Sequence, residues 1–121
     1  MKVLLIEDSQ EVVTSLQLCF KILMPGVQVI STNLGVDGIE AVKKEAPDVV
    51  ILDLGLPDMD GKNVLQAIRC FSNIPITILS VRNQDSDREG CFEAGATEYI
   101  TKPYSAIELV SRIKKMLRSK S

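Results

Sequence analysis

The chain has 121 residues, 45% of them apolar and 25% charged, with a net charge of −2. That is the size and balance of one globular domain, without the basic excess of a nucleic-acid module, so no direct contact with nucleic acid is expected. No apolar run approaches the roughly 20 residues needed to span a bilayer, and Met1-Lys2 leads into a strand-like run rather than a secretory leader.

The first element expected is a strand over 3–6, "VLLI". Val12, Leu16, Cys19, Phe20 and Leu23 then recur at helical spacing until Pro25-Gly26. Residues 27–30 read as a second strand that ends in Ser31-Thr32. A helix over 35–46 follows, bracketed by Gly35 and Pro47, with Glu40 and Lys44 in the favourable i,i+4 order. Val49 to Leu52 is a third strand, and Val64, Leu65 and Ile68 mark a third helix. Ile76 to Leu79 is a fourth strand. A fourth helix over 85–94 has only Cys91, Phe92 and Ala94 as apolar anchors and contains Gly90, which costs about 1 kcal/mol relative to Ala. It is expected to be the least firmly held element. Tyr99 to Thr101 forms a short fifth strand. The last helix, over 105–117, opens with the capping box Ser105-Ala106-Ile107-Glu108.

Five β/α repeats with continuously apolar strands predict an α/β fold, a parallel sheet covered by helices on both faces. The basic run Arg112, Lys114, Lys115, Arg118 and Lys120 reads equally as a solvated helix end or as the start of a linker. Cys19, Cys70 and Cys91 are odd in number and widely spaced, a pattern of neither zinc site nor disulfide framework. A reducing, cytoplasmic location is expected. The chain has no histidine, so its chemistry must rest on carboxylates, hydroxyls and lysine, with or without a bound metal.

In such a sheet, ligands bind beyond the C-terminal ends of the strands. Glu7-Asp8 follow the first strand, Asp53 the third, Ser80 the fourth and Lys102 the fifth. Each has a plain structural explanation. Asp8 suits a helix cap with Glu11 at the capping-box position, Asp53 suits a turn, and Asp58 and Asp60 read as turn residues only. The joint pattern shifts the balance. Three carboxylates at neighbouring strand ends repel and raise one another's pKa. A divalent cation relieves that conflict, and an all-oxygen donor set suits Mg²⁺. A carboxylate nucleophile flanked by a cation and an ammonium is suited to phosphoryl transfer.

With "LLIEDS", "ILDLGLPDMDG", "ILS" and "EYITKPYSAIEL" in place, the whole chain resembles the receiver domains of two-component response regulators. The resemblance implies one receiver domain over 1–121, alone or as the N-terminal part of a longer protein. It implies the flavodoxin-like (βα)5 fold with strand order 2-1-3-4-5. It makes Asp53 the phospho-acceptor, with Glu7, Asp8, Asp53 and the backbone carbonyl of Gly55 holding Mg²⁺. Ser80 would bind a phosphoryl oxygen, Tyr99 would be the aromatic switch, and Lys102 would pair with the phosphate ahead of a cis bond to Pro103. The implied partner is a sensor histidine kinase or a histidine phosphotransfer protein, with a DNA-binding output domain if the chain continues. The output face would comprise the fourth helix, fifth strand and fifth helix. In the OmpR/PhoB-type subfamily that face forms a homodimer, and the matching charges here are Arg88 with Glu108 and Glu98 with Arg112. Thr97 replaces a further acid of that set.

Two positions depart from the usual receiver pattern. Val81 is bulkier than the usual small residue, and Gly55 has no side chain to steer a hydrolytic water; Arg82 holds the other position that tunes hydrolysis. Two rival readings are an Mg²⁺-dependent phosphohydrolase of the haloacid dehalogenase type and a receiver-like binding domain that is never phosphorylated. The hydrolase lacks its second aspartate, since Gly55 stands there. The intact acidic pair, Asp53, Ser80 and Lys102 disfavour the binding domain. A flavodoxin is disfavoured by its acidic first loop, "EDSQE".

Overall fold

The computed structural model describes residues 1–82 and 84–119; Lys120, the last of the basic run, lies outside them. Five strands and five helices alternate: β1 (Lys2–Ile6), α1 (Gln10–Leu23), β2 (Gln28–Thr32), α2 (Gly35–Glu45), β3 (Val49–Asp53), α3 (Gly61–Arg69), β4 (Ile76–Ser80), α4 (Asp85–Glu93), β5 (Glu98–Thr101) and α5 (Ala106–Ser119). All strands pair in parallel, in the order β2-β1-β3-β4-β5.

The apolar runs of the sequence resolve into two cores because successive strand residues face opposite sides of a sheet. From β3, Val50 and Leu52 join Val42, Val64, Leu65, Ile68 and Cys91 under α2, α3 and α4. Val49 and Ile51 join Leu16, Phe20, Val110 and Ile113 under α1 and α5. Every β3 and β4 residue is buried, which is why these strands carry no polar alternation.

Helix ends differ from expectation in detail. Ser9, not Asp8, is the N-cap of α1, and its hydroxyl accepts from Val12 N–H at 3.4 Å. That leaves the Asp8 carboxylate free of a capping role. On α2, Glu40 pairs with Lys43 at 3.6 Å rather than with Lys44; i,i+3 and i,i+4 neighbours lie on one face and compete. Ser105 does cap α5, accepting from Glu108 N–H at 3.3 Å. Within the basic run, Lys114 donates to the Leu23 carbonyl at the end of α1. Helix α4 buries only Cys91, and Phe92 is 43% exposed rather than an anchor. Among the described residues, no helix is long and apolar enough to cross a membrane.

Candidate functional site

The parallel register brings four strand ends to one edge. Ile6 stands opposite Leu52, Asp53 opposite Leu79, and Ser80 opposite Thr101. Glu7, Asp53, Ser80 and Lys102 therefore meet although the chain separates them widely. Glu7 is 2% exposed and Asp53 7%, while Asp8 sits exposed at the rim. One oxygen from each of these three carboxylates lies within 4.8 Å of the other two. Lys102 Nζ lies 3.1 Å from Glu7 Oε1 and 3.6 Å from Asp53 Oδ2. Backbone donors fix the carboxylates further. Gly55 N–H donates to Asp53 Oδ1 at 3.1 Å, and Asp8 N–H donates to Glu7 Oε2 at 3.0 Å.

Burial pushes the Glu7 carboxyl up to about 7; the bond to Asp53 and its charge add to the rise, and Lys102 opposes it. Nearby Tyr104, not singled out by the sequence, is pushed up to about 12 by burial, with the charges of Glu7 and Asp53 adding to it. The cluster sets three carboxylates against one ammonium, and burial adds to the cost of ionising Glu7. Its donors are all oxygen, the set that hard divalent cations take, so Glu7, Asp8 and Asp53 could hold such an ion.

The loop after β3 carries more structure than turn residues alone would supply. The Asp58 carboxylate accepts from Gly35 N–H at 2.7 Å and Val36 N–H at 3.0 Å. It caps α2 from 23 residues away, and those bonds hold its carboxyl below the usual range. Asp60 caps α3 through Lys62 N–H at 2.9 Å. Gly61 packs directly on the Asp53 backbone; a Cβ there would lie 2.5 Å from the Asp53 carbonyl oxygen.

On the other side, Ser80 is buried, and its hydroxyl accepts from Arg82 N–H at 2.9 Å. Tyr99 is 7% exposed and donates its hydroxyl to the Arg82 carbonyl at 2.7 Å. The two residues singled out as a switch are thus joined through one residue, Arg82, whose main-chain role had no signature in the sequence. Its guanidinium pairs with Asp60. Val81, beside Ser80, is 74% exposed. The Lys102–Pro103 bond is cis, as the resemblance implied. Of the four charges matched to a dimer face, Arg88 lies over the Tyr99 ring at 5.5 Å. Arg112 and Glu98 face each other within one chain at 3.9 Å, and Glu108 is in the first turn of α5.

Comparison with known proteins agrees with this fold. The family model for the response regulator receiver domain matches residues 3–114. The transcriptional regulatory protein KdpE of Mycobacterium tuberculosis is 38% identical over 116 residues, covering 96% of this chain and 50% of its own length. The cell cycle transcriptional regulator CtrA of Caulobacter vibrioides is 38% identical over 119 residues, covering 98% and 51%. The chain spans about half the length of the curated relatives it matches. Among solved structures, the BeF3-activated receiver domain of Klebsiella pneumoniae RstA superposes with a TM-score of 0.84 at 28% identity, covering 98% of this chain and 99% of that one. The receiver domain of Francisella response regulator 1452 has the same fold, with a TM-score of 0.91 at 24% identity and coverage of 99% and 98%. With the family model matched over nearly its whole length and the strand order the same, this chain belongs to the receiver domains of two-component response regulators.

Proposed function

We propose that Asp53 is the residue that accepts the phosphoryl group, from a histidine kinase or a histidine phosphotransfer protein. The supporting observation is what converges on it: a nearly buried carboxylate at a strand end, an ammonium at 3.6 Å and two more acids within 4.8 Å. An Asp53 carboxylate oxygen forms the new bond to phosphorus as the donor's bond to phosphorus breaks, leaving an acyl phosphate. Gly55 N–H orients the carboxylate by holding Oδ1. Lys102 pairs with the phosphoryl oxygens, and the Ser80 hydroxyl hydrogen-bonds another of them. Mg²⁺ held by Glu7, Asp8, Asp53 and the Gly55 carbonyl supplies further positive charge to those oxygens when bound. When Ser80 turns to the phosphoryl group, Arg82 N–H loses its acceptor and the Tyr99 hydroxyl loses a fixed partner. The α4-β5-α5 face then rearranges, starting at the weakly held α4.

In this reading the switched face forms a homodimer through Arg88, Glu98, Glu108 and Arg112. The relatives named as transcriptional regulators are about twice as long, which supports a DNA-binding output domain beyond this one, in a cytoplasmic protein. Incubation with acetyl phosphate and Mg²⁺, followed by mass-spectrometric mapping, tests the assignment. Label is expected on Asp53; label that persists in Asp53→Ala, or never forms, overturns it.

A further inference from the structure

One ion pair at the rim of the site takes no part in that chemistry. Arg82 NH1 and NH2 face Asp60 Oδ1 and Oδ2 at 3.4 and 3.2 Å, joining the turn after β4 to the loop after β3. Both ends are anchored. Asp60 caps α3, bridges to Gly55 and precedes Gly61, which lies on the Asp53 backbone. Arg82 is tied by its N–H to Ser80 and by its carbonyl to Tyr99. A guanidinium two residues from the phosphoryl-binding hydroxyl is thus occupied by a carboxylate. The same fork of donors suits phosphate equally well, and both side chains are more than a third exposed, so an incoming anion can compete for it.

Resting on Asp53 as the phospho-acceptor, we propose that Asp60 is a positioning residue that slows loading by withholding Arg82 from the anionic phosphodonor. Asp60→Asn separates this role from helix capping, because Asn caps as well as Asp but carries no charge. With acetyl phosphate, the bond from phosphorus to the acetate oxygen breaks as the bond to Asp53 forms, and acetate leaves.

Loading is measured at subsaturating donor in the parent, Asp60→Asn, Arg82→Gln and the double variant. Asp60→Asn is expected to load roughly two- to fivefold faster, the scale of one partly exposed charge contact. The gain shrinks at high salt and vanishes in the Arg82→Gln background, with the thermal midpoint of Asp60→Asn near that of the parent. An equal gain with and without Arg82 marks a general field effect and overturns the proposal, as does no gain in a parent that labels normally. No label in any protein, parent included, overturns the Asp53 reading and this proposal with it.

Discussion

The Lys102 ammonium and the Glu7 carboxylate, 95 residues apart in the chain, meet at 3.1 Å, yet burial still holds Glu7 at about 7 against its ordinary 4.5. In cation-free protein the folded state therefore keeps a proton that the unfolded state has lost between those two values. Since the native state binds more protons there, stability falls as pH rises through that window. The loss from this group is on the order of 1–3 kcal/mol. Denaturant melts in chelator at pH 5 and pH 8 measure it, and Glu7→Gln should flatten that part of the slope. An unchanged slope in the variant removes Glu7 as the cause.

Mg²⁺ should raise the thermal midpoint, because an ion that binds only the native state stabilises it by RT ln(1 + [L]/Kd). Asp8 is the exposed member of the cluster, so Asp8→Ala should fold normally and lose most of the shift. An equal shift in parent and variant would place the ion elsewhere.

Gly61→Ala should be damaging where Gly55→Ala is tolerated. At 61 a Cβ meets the Asp53 carbonyl oxygen at 2.5 Å and Leu54 Cα at 2.6 Å, both backbone atoms that cannot turn aside. At 55 the nearest atom is Asp53 Oδ1 at 3.9 Å, an ordinary contact. A loss of about 2 kcal/mol or more is expected at 61, the range of overpacked sites, together with impaired labelling of Asp53. Equal unfolding midpoints for the two variants would contradict this packing.

Beryllofluoride, as a phosphoryl analogue, should shift the protein from monomer toward dimer in sedimentation. Arg112→Glu should abolish the shift, and adding Glu98→Arg should partly restore it. The pair already exists within one chain at 3.9 Å, and exposed pairs contribute only about 0–1 kcal/mol each. They would set register more than affinity, each contact recurring twice across an isologous interface. A monomer at high concentration with and without the analogue ends the dimer reading and leaves Asp53 untouched.

The sequence by itself determined the alternation of five strands and five helices, the buried sheet and the strand ends that carry Glu7, Asp53, Ser80 and Lys102. These follow from short-range pattern: apolar period, punctuation by Gly and Pro, and the first polar residue after each run. Only the tertiary structure decided what depends on distant partners. Asp58 read as a turn residue until Gly35 and Val36, more than twenty positions earlier, donated to it. Asp60 likewise gained both a helix to cap and Arg82 to hold. Phe92 looked like an anchor for α4 but faces outward, since too few apolar neighbours define which face of that helix is inner. The raised pKa of Glu7 comes from burial at a junction of strands that no local window contains, because desolvation and charge act through space rather than along the chain.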